Sequence, residues 1–137
     1  MSIRLYHFAP AHMVKGVMEY GLTRGAMPLF GDDGVINGFM LECQWLTKDG
    51  DPQNQHWATQ INLDYDRTAY RLTVKIPESR RRNLLFGKAI LDIEGLPSKT
   101  RECFEATPGH ENWAVYFGCI PARWIKKIQR KSEDAQP

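Results

Sequence analysis

The chain has little cysteine and none of it is paired in spacing. Cys43, Cys103 and Cys119 are the whole complement, and no Cys-x-x-Cys occurs. An odd count without that spacing argues against a disulfide framework and against a thiolate zinc site. Long hydrophobic runs are missing too. No stretch approaches the roughly 20 apolar residues of a membrane-spanning helix. The start, MSIRLYHF, holds no apolar run of signal-peptide length. The expectation is a soluble protein of the reducing cytoplasm, with no membrane partner and no metal. Charge of one sign is scarce: the formal net charge is +2, too small to announce nucleic acid by itself. Also absent are GxGxxG, the P-loop, HExxH and GxSxG, and with them the glycine-cradled phosphate, the helical zinc hydrolase and the hydrolase elbow. His7, His12, His56 and His110 are the only histidines, and no two are spaced like a zinc pair. Repeats and low-complexity segments do not occur.

What is present is ordinary globular material. Apolar residues make up 42% and charged residues 25% of 137 positions, which fits one folded domain. We read it as residues 1–130, followed by a flexible tail over 131–137. SIRLYHF predicts a strand with Ile3, Leu5 and His7 on one face. Pro10 opens a helix carried by Val14, Val17 and Met18, with Gly21 as its C-cap. Residues 23–37, rich in glycine and holding Pro28, read as a long loop. GFMLECQWLT reads as one buried strand ending near Thr47, and KDGDPQNQ as a loop. TAYRLTVKIP alternates cleanly and stops at Pro77. Residues 78–94 turn weakly helical. Residues 95–111 read as loop, with a short helix near residues 99–104. WAVYFGCI and RWIKKIQ are the last strands. The expected class is α+β, with a mixed or antiparallel sheet and a few short helices.

A scattered set of residues could carry chemistry. His7 sits in LYHF, Trp45 and Thr47 in QWLT, and Trp57 lies across the polar loop. Arg67 and Arg71 flank or lie on the third strand, and Glu111 heads WAVYFGCI. Singly, each has an ordinary explanation: a hydrogen-bonded strand histidine, core tryptophans, a solvated glutamate. Arg80–Arg82 and the run from Lys126 to Lys131 read as solvated faces.

Their order resembles the small ADP-ribosyltransferase fold family. The series LYHF, helix, GL, QWLT, Trp57, strand, ENWAVYFGCIP spans about residues 3–128. In that family a first strand carries a histidine, a later one an aromatic followed by Phe-Thr or Leu-Thr. A second aromatic follows, and a glutamate heads a late strand. The resemblance implies an ADP-ribosyltransferase-like domain using NAD as substrate. His7 would hydrogen-bond the adenosine ribose or the neighbouring part of NAD. Trp45 and Trp57 would sandwich nicotinamide, with Thr47 beside them. Glu111 would be the catalytic residue, stabilising the oxocarbenium-like transition state. Charge and position make Arg67 or Arg71 a candidate for the pyrophosphate.

The chain departs from the family's pattern in three places. Phe8 and Ala9 replace the small Gly-Thr after the histidine. The Ser-Thr-Ser element is missing. Gly109 stands where the arginine-modifying branch has its first glutamate, which disfavours arginine as acceptor. The Arg-His-Arg set of the RNA 2′-phosphotransferases, a related branch, is not found. Besides a weakly signalled nucleic-acid binder using SRRR and IKKIQRK, two functions are therefore expected in competition. One is transfer of ADP-ribose to a macromolecular acceptor, protein or nucleic acid, in a toxin, modification or phage–host conflict role. The other is a non-catalytic inhibitor or binding protein on the same scaffold, such as an anti-CRISPR.

Overall fold

A computed structural model describes residues 1–59 and 64–131. Along the chain run β1 (Ser2–Ala9), α1 (Ala11–Tyr20), β2 (Ala26–Phe30), β3 (Ile36–Leu41), β4 (Cys43–Thr47), β5 (Tyr70–Pro77), β6 (Leu84–Phe86), α2 (Lys88–Leu91), α3 (Ser98–Glu105), β7 (Trp113–Phe117) and β8 (Ile125–Arg130). Short 3-10 turns fill several connections. The architecture is α+β. A six-stranded sheet has the order β6-β7-β4-β1-β5-β8, and β2 and β3 form a separate hairpin. Every registered pair is antiparallel. No helix among the described residues is long and apolar enough to cross a membrane.

Period-two patterning builds the centre of the sheet. β1 and β5 pair along their whole length, Ser2 opposite Pro77 and Ala9 opposite Tyr70. Directly opposed residues share a face, so Ile3, Leu5 and His7 stand with Ile76, Val74 and Leu72. That face is the main core. Leu5, Leu46, Leu72, Val74 and Ala114 are buried there beneath Val17 of α1, Leu22 and Ile120. Each such side chain contributes on the order of 1.5–3 kcal/mol by leaving water. The other face is covered only over the β4–β7–β6 half. There Cys43 and Val115, with Trp45, Trp113 and Leu85, pack on Met27, Ile90, Leu91, Leu96 and Phe104.

α1 ends where the sequence says it should. Gly21 takes φ 82, and its N–H donates to the Val17 carbonyl at 2.8 Å. The backbone then runs hard against residues 120–122, where Leu22 and Ile120 form an isolated bridge. A Cβ on Gly21 would stand 2.1 Å from the Ile120 carbonyl oxygen.

Three local expectations are corrected. Residues 23–37 are not simply loop: they hold β2 and the start of β3. A two-stranded hairpin has free outer edges, where Pro28 is tolerated. GFMLECQWLT is not one strand. Glu42 adopts φ 58 and breaks it into β3 and β4, and its carbonyl accepts from Gly118 N–H at 2.8 Å. Residues 78–94 form a 3-10 turn, β6 and the four-residue α2 in place of one weak helix. The expected helix near residues 99–104 is α3. At the C-terminus, Lys131 N–H donates to the Ala69 carbonyl at 2.7 Å, and its ammonium pairs with Asp66. Residues 132–137 of the expected tail lie outside the described residues.

Candidate functional site

The site begins at a gap in the sheet. β1 and β4 are in register only at Tyr6 opposite Thr47. A continued antiparallel ladder would set Phe8 opposite Trp45. Instead the strands part, and the Trp45 carbonyl accepts a hydrogen bond from His7 Nδ1 at 2.7 Å. A carbonyl can only accept, so Nδ1 carries the proton. Burial pushes the His7 pKa below its ordinary value of 6.5, and the bond to Trp45 offsets this only in part. The ring is therefore neutral near pH 7, with Nε2 left as an acceptor.

Beyond the gap lies a cleft of about 390 Å³. His7, Trp45 and Thr47 line it from the sheet, and Trp57 and Arg67 from the connection between β4 and β5. Pro28, Phe30 and Ile36 of the hairpin close another side, with Cys103, Phe104 and Thr107 from the α3 region and Trp113 from β7. The lining is mostly apolar and aromatic with a few convergent polar groups, the usual composition of a small-molecule site.

Its two tryptophans are held differently. Trp45 is locked into the core. Its indole N–H donates to the Ala26 carbonyl at 3.0 Å. Its ring meets Phe104 and Trp113 edge-on, each at 5.5 Å between centroids. Trp57 hangs on the polar loop. Its N–H donates to Gln55 Oε1 at 3.0 Å, and Gln55 is itself fixed by donating to the Asp49 and Asp51 carbonyls. The Arg67 guanidinium lies 4.8 Å from the Trp57 ring centroid, a cation–π contact worth about 0.5–2 kcal/mol. Trp57 and Arg67 thus form one linked wall. The Thr47 hydroxyl accepts from Asp49 N–H at 3.1 Å, which starts the turn into that loop.

The structure therefore brings His7, Trp45, Thr47, Trp57 and Arg67 into one cavity, and leaves Arg71 and Glu111 out of its lining. Arg71 is registered with Phe8 and shares the face of Tyr6 and Phe8, which do line the cleft, but its own side chain lines the separate depression beside the loop over residues 49–52. Its guanidinium donates to the Gly50 carbonyl and to Gln129 Oε1, at 2.9 and 2.6 Å, and lies over the Tyr6 ring. Glu111 is in a 3-10 turn ahead of β7, its side chain 65% exposed and 3.5 Å from His110 Nδ1. No carboxylate among the described residues lines the cleft. Among the described residues, no group of three or more His, Cys, Asp or Glu is placed to hold a metal ion.

Phe104 and Trp113 are walls that residue-by-residue reading did not single out. Trp113 was within reach of it: it alternates with Val115 and Phe117, and its register with Thr47 puts it on the Trp45 side. Phe104 needed the docking of α3. Compared with protein-family models, curated proteins and solved structures, the chain matches none.

Proposed function

We propose that the cleft binds NAD and that the protein is an ADP-ribosyltransferase acting on a macromolecular acceptor. One observation carries this reading. Five residues from four separate stretches of chain, His7, Trp45 with Thr47, Trp57 and Arg67, line one cavity. His7 Nε2, free of a proton, accepts from a ribose hydroxyl. The indoles supply flat faces for nicotinamide, and the Arg67 fork suits the pyrophosphate. In the reaction the nicotinamide–ribose C–N bond breaks and nicotinamide leaves with its electron pair. The acceptor's nucleophile then bonds to the ribose carbon and loses its proton. Positive charge on the ribose calls for a nearby carboxylate. Glu111, two residues from the cleft wall Trp113, fills that role by turning inward from its exposed position.

A second reading, nucleotide binding without catalysis, is favoured by the absence from the lining of any carboxylate among the described residues. Calorimetry with millimolar NAD, with assay of released nicotinamide, separates the two. Binding, with release that Glu111→Gln abolishes while folding is kept, is the expected result. Binding without release selects the second reading. No binding refutes both.

A further inference from the structure

The half of the sheet that α2, α3 and the hairpin leave uncovered is strongly basic. On that face Arg4 of β1 stands directly opposite Lys75 of β5, and Lys127 of β8 lies opposite Thr73, beside them. All three cations are exposed. β1, β5 and β8 contain no aspartate or glutamate at all. None of the three cations ion-pairs with a carboxylate among the described residues. Like charges set directly across a ladder are destabilising, so folding alone gives no reason for this arrangement.

The charge extends at both ends. Near Arg4, the Glu78 N–H donates to the Met1 carbonyl at 3.1 Å, and the turn it begins carries Arg80, Arg81 and Arg82, all exposed. Toward the cleft, Arg71 is fixed over Tyr6 with no carboxylate partner among the described residues, and its Nε is buried with no hydrogen bond to any of them. Asp49 and Asp51 belong to the loop bordering Arg71 and cap its turns, and Glu78 heads the arginine turn. Tyr6 lines both the depression under that loop and the cleft. The basic face and the cleft therefore meet at one aromatic side chain, Tyr6, whose ring carries the Arg71 guanidinium.

We propose that this face binds the phosphate backbone of single-stranded nucleic acid and leads it over Tyr6 to the cleft, so that nucleic acid is the acceptor. Naming the acceptor rests on the transferase reading; the binding itself does not. Neighbouring strands lie about 4.8 Å apart, so cations on β1, β5 and β8 present a band that a flexible backbone can follow. A rigid duplex fits it less well.

The test is fluorescence anisotropy with a labelled mixed-sequence single-stranded DNA across a salt series, without NAD. Each phosphate contact contributes about 0.7 to the slope of log K against log salt. The triple variant Arg4→Gln/Lys75→Gln/Lys127→Gln is expected to lower that slope by about 2 and weaken binding about ten- to a hundredfold at low salt. A control losing equal charge elsewhere, Lys15→Gln/Arg24→Gln/Arg101→Gln, is expected to change little. Should the triple variant misfold, Arg4→Gln and Lys127→Gln singly are each expected to lower the slope by about 0.7. The proposal is overturned by absence of binding, by equal loss in the control, or by tighter binding of duplex DNA. Tighter binding of vesicles of equal parts phosphatidylserine and phosphatidylcholine overturns it as well. Binding that follows these rules in a protein that never cleaves NAD keeps the surface and discards the transferase.

Discussion

Replacing His7 by asparagine separates the ring's proton chemistry from its hydrogen bond, because the asparagine amide can still donate to the Trp45 carbonyl. In the folded protein the ring is buried, bonded through Nδ1 at 2.7 Å and held below its ordinary pKa of 6.5. The unfolded chain has no such constraint. As pH falls through about 6.5, the unfolded histidine takes up a proton that the folded one refuses, so the unfolded state gains. Stability from this residue is fully present above that pH and declines below it, until the lower folded pKa is reached. If the folded ring stays neutral throughout, one differential proton costs up to about 1.4 kcal/mol between pH 7.5 and 5.5. Urea denaturation of both proteins at those two pH values measures it. The other histidines and the carboxylates titrate alike in both chains, so the difference in pH dependence belongs to His7. The wild-type protein is expected to lose more stability on acidification than His7→Asn, by as much as that figure. Equal losses would refute the buried neutral ring, and with it the assignment of Nε2 as the cleft's acceptor.

The two tryptophans should part company. Trp45→Ala removes a ring packed against Phe104 and Trp113 and is expected to cost about 3–5 kcal/mol of stability. Trp57→Ala, on the loop, is expected to cost much less yet to remove NAD binding; thermal melts and calorimetry on the two variants read this out. Gly21→Ala places a Cβ in the left-handed region, 2.1 Å from the Ile120 carbonyl oxygen. With ψ at −165 the backbone lies in a region all but restricted to glycine, which alone costs roughly 1–3 kcal/mol, so a denaturation midpoint close to wild type would contradict the described junction between α1 and residues 120–122.

Sequence reading reached the elements whose signals are local. The alternation of Tyr70, Leu72, Val74 and Ile76 is enough to define β5. Pro10, Val14, Val17 and Gly21 are enough to define α1. It missed what depends on a distant partner. β2 contains Pro28 and is flanked by glycines, and it is a strand because β3 pairs with it and Met27 is buried against α2 and α3. Nothing in the letters of GFMLECQWLT marks Glu42 for φ 58; that conformation follows from carbonyl and amide partners at Gly118 and Gly25. The order of residue types pointed to seven residues, and five of them line one cavity. Period-two counting could not remove Arg71, which shares a face with the cleft-lining Tyr6 and Phe8; its bonds to Gly50 and Gln129 hold it out. The outward position of Glu111 was not readable, because it depends on the 3-10 turn over residues 110–112.

The single point of register between β1 and β4 has a mechanical consequence. The sheet is two packed halves joined by one stitch, and the cleft is the unsewn part of the seam. Its mouth is bounded by the hairpin on one side and by the Trp57–Arg67 wall on another. One core cluster runs beneath both halves, with Leu5 and Leu72 on one side of the seam and Leu46 and Ala114 on the other, so the halves are clamped on that face while the seam stays open on the other. The His7–Trp45 bond is already a second stitch, made by a side chain where the backbone ladder stops, and it leaves the ring's other nitrogen for whatever enters the seam.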